Sequence, residues 1–210
     1  MFGITNYQMF FTSCVILALI PGSDTFFVLG QSISNDRKTG VLSTLGIGSG
    51  ILVHTLLATF GLSLILKNSQ TAFNLVKLIG ALYLIFLGIK SFREKGKDFT
   101  TDLSQSKTNL KKSYFQGVIT NVFNPKIALF FLAFLPQFVS NDTTNSTVSF
   151  FLLGSTYFVV STIWLLILTT FVSVSANFLK KKKNFSTTLN KVSGSIFILL
   201  GAKLLTAKLD

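Results

Sequence analysis

Apolar runs of about 20 residues follow one another along almost the whole of this 210-residue chain, and two of them are broken internally by proline. Backbone that crosses hydrocarbon must satisfy its own N–H and C=O groups, which leaves helices or closed barrels. Runs of this length are helical, since a barrel strand needs only about 10 residues. Charged residues make up 12% of the chain, against about 25% in soluble domains. The sequence therefore predicts an all-α protein embedded in a lipid bilayer. With about 20 residues per crossing there is room for about six helices. Nothing is left over for a soluble domain, so residues 1–210 read as a single transmembrane unit.

The spacing places spans at about 5–32, 41–65, 72–92, 114–139, 147–177 and 189–206. Span one is broken at Pro21-Gly22-Ser23-Asp24 and span four at Asn124-Pro125-Lys126. Proline lacks an N–H and disfavours α geometry in the residue before it. Each break is followed by an ionisable residue, Asp24 in one and Lys126 in the other. Broken membrane helices that carry charge near the midplane are one way to build a transport site.

The formal net charge is +12, but its distribution argues against nucleic acid. Arg37 and Lys38 follow span one. Arg93, Lys95, Lys97, Lys107, Lys111 and Lys112 follow span three, and Lys180–Lys183 follow span five. The intervening loops hold only Lys67, and the C-terminal tail holds Lys208. Basic loops stay in the cytoplasm, so an even number of spans puts both termini in the periplasm. Met1 to Asn6 contains no Lys or Arg, so it lacks the charged start of a signal peptide. Cys14 is the only cysteine, which excludes an internal disulfide or a two-cysteine relay.

The two halves resemble each other. Aligning Pro21 with Pro125 also aligns Phe26-Phe27 with Phe130-Phe131, and Ser34-Asn35-Asp36 then matches Ser140-Asn141-Asp142 after a short gap. Lys77-x-x-Gly80 and Gly88-x-Lys90 in span three match Lys191-x-x-Gly194 and Gly201-x-Lys203 in span six. The expected division is repeat one at 1–93, a cytoplasmic loop at 94–112 and repeat two at 113–210. An odd number of spans per repeat makes the second enter the membrane from the opposite side, so helices one and four become antiparallel partners.

Asp24 is a costly residue to hold in a bilayer, on the order of 3 kcal/mol at a helix centre. It suits binding of an ammonium group or proton coupling; a structural carboxylate, capping the half-helix or paired to Lys126, is the alternative. Lys126 suits a substrate carboxylate or a switchable pair with Asp24, or else a permanent structural pair. Asn124 suits capping of the second half-helix and contact with substrate. His54, the only histidine, shares a helix face with Gly46, Gly50 and Ala58. A hydrogen-bonded packing role is the leading reading for it, with a proton relay as the alternative. Gly46 and Gly50 form a small-xxx-small pattern, which serves packing within one chain or in a homo-oligomer. Gly80, Gly88, Gly194 and Gly201 are expected to serve helix packing as well. Lys77 is expected to snorkel; Trp164, Tyr83 and Tyr157 are expected to pack.

The sequence offers no metal-ligand cluster, no Walker A and no dinucleotide fingerprint. It calls for no cofactor, and an enzyme would need a nucleophile–base set that is not visible. Coupling is then expected from an ion gradient. An exporter of another solute, such as a metal cation or an amine, and a non-transporting membrane scaffold are the other readings.

The motifs resemble the LysE/RhtB family of bacterial amino-acid exporters along essentially the whole chain. They are Pro21-Gly22-x-Asp24, Gly46-x-Gly48-x-Gly50, Lys77-x-x-Gly80-Ala81-x-Tyr83-Leu84, Gly117-x-x-x-Asn121, Asn124-Pro125-Lys126, Phe130-Phe131, Leu135-Pro136-Gln137-Phe138, and Gly194 to Gly201. Where the family pattern commonly has a second proline, this chain has Ser23, which adds a hydroxyl. The resemblance implies export of amino acids or small derivatives across the bacterial inner membrane, coupled to protons. The homoserine, threonine and leucine branch looks closest. Asp24 would then meet the ammonium of a zwitterion and Lys126 its carboxylate.

Overall fold

The structure, a computed structural model, describes residues 2–93, 109–140, 143, 145–179, 191, 194, 195, 198, 199, 201 and 202. At 66, 67, 70, 73, 77, 84 and 172–179 it describes the backbone. Several residues named above lie outside that set: Lys95, Lys97, Lys107, Asn141, Asp142, Lys180–Lys183, Lys203 and Lys208, together with the side chains of Lys67 and Lys77.

The described residues are helical, with one isolated backbone bridge and no strand. Span one is α1 (Tyr7–Leu19) and α2 (Ser23–Ser34), bent by 48° at the break. Asp36 then caps α3 (Arg37–Leu57): its Oδ1 accepts from the Thr39 N–H at 2.7 Å and from the Thr39 hydroxyl at 2.6 Å. This cap starts the second span earlier than hydrophobicity alone suggests. A π-helical turn, Ala58–Leu62, joins α3 to α4 (Ser63–Asn68). The third span is α5 (Gln70–Arg93).

Span four also starts early, because Asn109 caps α6 (Leu110–Val122) through the Lys111 N–H. After the break come α7 (Pro125–Leu129), a π-turn (Phe130–Phe134) and a 3-10 turn (Leu135–Phe138), bent by 46° from α6. Pro125 stands at the start of α7, where its missing N–H is no loss. Helix α8 (Ser146–Leu179) has 34 residues. At 1.5 Å per residue it is about 50 Å long, more than the ~30 Å hydrocarbon core. Among the described residues three helices are long and apolar enough to cross a membrane, and five spans result if each bent pair is one crossing. The described residues of 191–202 are helical too.

The packing contacts centre on small residues. A Cβ at Gly46 would collide with the Tyr114 carbonyl, and one at Gly50 would lie 2.6 Å from the Asn121 Cβ, so α3 and α6 approach backbone to backbone. A Cβ at Gly80 would collide with Ala133. One at Gly88 would lie 2.8 Å from the Gly194 carbonyl, and one at Gly201 would lie 2.9 Å from the Ala81 carbonyl. Gly194, Ile198 and Gly201 therefore lie along α5.

The two broken spans run side by side in opposite directions. Residues just before α1 meet residues just after the 3-10 turn: Thr5 N–H donates to Phe138 at 2.9 Å and Ser140 N–H to Gly3 at 2.8 Å. The outward faces are apolar: Leu57, Phe60, Ile79, Phe123 and Phe171 are all more than half exposed, as a lipid-facing surface requires.

Candidate functional site

Pro21 removes the N–H that the Leu17 carbonyl would accept in a continuous helix. The bend at Gly22 also frees the Ile20 carbonyl. Both oxygens are taken by one group from the other broken span: Lys126 Nζ donates to Leu17 at 3.0 Å and to Ile20 at 2.8 Å. A cation at the C-terminal end of α1 also complements the helix dipole.

The second break supplies the partners of the first span's charge. Asn121 Nδ2 donates to Asp24 Oδ2 at 2.7 Å, and Asn124 Nδ2 to Asp24 Oδ1 at 2.8 Å. The Asn124 Oδ1 accepts the Lys126 N–H at 3.0 Å and so caps α7. One asparagine thus ends a helix break and holds a carboxylate from the other broken span. Asp24 is 8% exposed, Asn124 4% and Asn121 0%. Asp24 sits in the first turn of α2, near the positive end of that helix's dipole. It is not the cap of α2: Gly22 holds that position, with no side-chain bond. The charges of Asp24 and Lys126 lie within electrostatic reach of one another.

His54 is buried on α3. Its Nε2 lies 3.3 Å from the Asn121 carbonyl oxygen, and its ring stacks on Phe131 at 5.6 Å. His54 thus joins the same cluster through the backbone of Asn121. The Asn121 Oδ1 is buried and has no hydrogen-bond partner among the described residues.

Asp24, Asn124 and Lys126 border a small cavity that Leu17, Gly22 and Ile127 also line. Helix α8 closes it with Tyr157, Ser161 and Leu165. About 10 Å³ is open to the centre of a water molecule, which is space for about one water. That space holds nothing larger than water, so a larger ligand requires the lining to move. Ser23 is exposed beside the break, and its hydroxyl adds to the polar surroundings of Asp24.

Sequence reasoning placed Asp24, Lys126 and Asn124 at facing breaks and set His54 against a neighbouring helix; the structure joins His54 to the same cluster. It assigned no site role to Asn121 or to the α8 residues. Asn121 and Asn124 are spaced by three, which could have signalled a shared helix end. Tyr157, Ser161 and Leu165 are spaced by four on a helix that is apolar almost all round, so no periodicity marks their face.

Residues 15–208 match the family described as LysE type translocator. The chain is 29% identical over 209 residues to a leucine efflux protein of Salmonella typhimurium, covering 98% of this chain and 97% of that one. It is 31% identical over 209 residues to a leucine efflux protein of Klebsiella pneumoniae, with the same coverage. An uncharacterized membrane protein of Bacillus subtilis, YrhP, is 30% identical over 196 residues, 90% of this chain and 92% of its own length. No solved structure matches the chain. The chain is a multi-pass membrane protein and belongs to the LysE type translocator family.

Proposed function

We propose that this protein exports an apolar amino acid, leucine or a close analogue, across the bacterial inner membrane in exchange for protons. The observation that carries this reading is the meeting of two helix breaks that bring a buried carboxylate, held by two asparagine amides, and a part-buried ammonium to one small cavity. A zwitterion presents the complementary pair of charges. Its ammonium replaces Asn121 or Asn124 at Asp24, and its carboxylate draws Lys126 Nζ from the Leu17 and Ile20 carbonyls. Leu17, Ile127 and Leu165 line the same cavity and suit an aliphatic side chain. The leucine efflux relatives support the same substrate class.

Six spans in two inverted repeats support alternating access around this fixed point. The matching bends of 48° and 46° and the antiparallel contact of the broken spans favour that arrangement. Basic loops in the cytoplasm and both termini in the periplasm complete the proposed topology. Proton coupling is assigned to Asp24, the buried carboxylate whose charge every substrate exchange must compensate. Gly46 and Gly50 are engaged by α6 of the same chain, so a homo-oligomer would use another face.

The test is efflux from dipeptide-loaded bacteria that lack their own exporters, with wild type beside Asp24→Asn and Lys126→Met. Wild type should release leucine or a close analogue faster than the empty strain, and both variants should lose that release. Unchanged efflux in both variants refutes the site. A wild type that moves no amino acid, despite confirmed insertion in the membrane, refutes the function.

A further inference from the structure

Two buried stripes leave the cavity in the same direction. On α2, Asp24, Val28 and Ser32 follow at intervals of four; on α8, Ser161, Leu165 and Thr169 do the same. Residues four apart stack on one helix face, about 6 Å apart along the axis. All six are buried, and α2 packs against α8. The stripes face each other at both ends. Asp24 and Ser161 line the cavity together. Eight residues on, Ser32 and Thr169 both close on Gly40, where a Cβ would collide with the Ser32 Oγ and lie 2.8 Å from the Thr169 Cγ2. Thr44 adds its hydroxyl, 3.3 Å from that of Thr169. Beyond lies Arg37, whose guanidinium donates to the Thr170 hydroxyl at 3.4 Å. The sequence along this route is a polar cavity, one aliphatic layer, a hydroxyl layer, then a charged end.

The opposite direction is closed by aromatic rings in depth. Tyr157 meets Phe130 at 4.6 Å between centroids. Phe130 meets Phe134 at 5.4 Å, and Phe134 and Phe10 each meet Phe138 at 5.1 Å. Past them the chain is bridged by backbone at Ile4 and Val139, and by side chains from Tyr7 to Thr156 at 3.1 Å and from Ser149 to the Phe2 carbonyl.

We infer that the cavity exchanges its substrate with the Arg37 end through Val28 and Leu165, a gate one aliphatic layer thick, while the aromatic end is the thick seal. The cost of opening scales with the apolar area exposed. Parting Val28 and Leu165 exposes two aliphatic side chains towards Ser32, Thr44 and Thr169, whose hydroxyls can bond a passing polar group. Parting the other end exposes a stack of rings and breaks the backbone bridge. The inference rests on the transporter reading. With the basic loops in the cytoplasm, the Arg37 end is the loading side of an exporter.

The test uses single cysteines in a Cys14→Ala background, labelled in right-side-out and everted membrane vesicles with a small, water-soluble, charged methanethiosulfonate reagent. Lys38→Cys marks the Arg37 end and Gln8→Cys the other; both positions are exposed. Ser161→Cys and Thr169→Cys should label from the side that labels Lys38→Cys, with Thr169→Cys the faster. Ala133→Cys, in the aromatic half, should stay unlabelled from either side. Adding Leu165→Ala should raise the Ser161→Cys rate by about tenfold, by removing most of the layer, and leave Thr169→Cys unchanged. The inference is overturned if Ser161→Cys labels only from the Gln8→Cys side, or if Ala133→Cys labels as fast as Ser161→Cys. It is also overturned if Leu165→Ala changes nothing. Labelling needs no substrate, so a failed efflux assay beside this labelling pattern would refute the exporter and leave the gate standing.

Discussion

The Lys126 ammonium donates to the Leu17 carbonyl, the acceptor that Pro21 leaves without an N–H. A helix break in one span is thus completed by a charge from the break in the other, across a sequence separation of 109 residues. Both devices are needed together: the proline opens the site and the lysine satisfies what it opens.

That dependence predicts coupling between the two residues. Lys126→Met leaves two buried carbonyls unpaired and Asp24 without a nearby cation, a loss on the order of 3–5 kcal/mol. Pro21→Ala restores an N–H beneath the Leu17 carbonyl, so in its presence the loss of Lys126 should cost less. A double-mutant cycle by thermal unfolding in detergent should give a coupling of about 1 kcal/mol or more. Strict additivity would show that Lys126 does not serve the break.

Asn124 does two jobs and Asn121 one, as far as Asp24 and α7 are concerned. Asn124→Ala should therefore destabilise by about 3 kcal/mol, the sum of a charged hydrogen bond and a lost cap. Asn121→Ala should cost about 2 kcal/mol. Asp24→Asn should narrow the difference, because the charge that both amides serve is gone. Unfolding midpoints of the single and paired variants in the same detergent check the order.

The breaks were legible in the sequence because proline acts locally: Pro21 and Pro125 disrupt their own helices whatever surrounds them. Asp24 and Lys126 stood out for the cost of charge in apolar runs. The partners were not legible. Leu17 and Ile20 take part through backbone, which no side chain advertises, and the Asp24–Asn121 bond spans 97 residues. The π-turns at Ala58–Leu62 and Phe130–Phe134 contain no proline to announce them. On α8 the buried face could not be told from the lipid face, because both are apolar; only the packing of α2 and α3 selects Ser161 and Thr169. The early starts of α3 and α6 follow from Asp36 and Asn109, residues that hydrophobic spacing ignores.

The glycines separate sharply by environment. A Cβ at Gly46 would collide with the Tyr114 carbonyl, whereas one at Gly61 would meet nothing within 4 Å among the described residues. Gly46→Leu should push α3 from α6 and cost about 2–3 kcal/mol, the usual range for overpacking. Gly61→Ala should be neutral or stabilising by up to ~1 kcal/mol, through reduced freedom of the unfolded chain. Equal unfolding midpoints for the two variants would contradict the close approach of α3 and α6.

Asp36 gives a pH dependence outside the membrane-spanning segments. Its carboxylate is held below its ordinary 3.8 by the Thr39 hydroxyl and then by the Thr39 N–H. A carboxylate with a depressed folded value contributes stability above its unfolded value and loses it as pH falls through the folded one. The cap of α3 should therefore be intact at neutral pH and begin to weaken below about pH 4. Asp36→Asn keeps a capping oxygen without the titration, so its unfolding midpoint should vary less between about pH 3 and about pH 5. Asp36→Ala should cost about 1 kcal/mol at neutral pH, and wild type should approach it as the solution is acidified. A gap between wild type and Asp36→Ala that stays constant across that range would show that the charge of Asp36 contributes nothing to the start of α3.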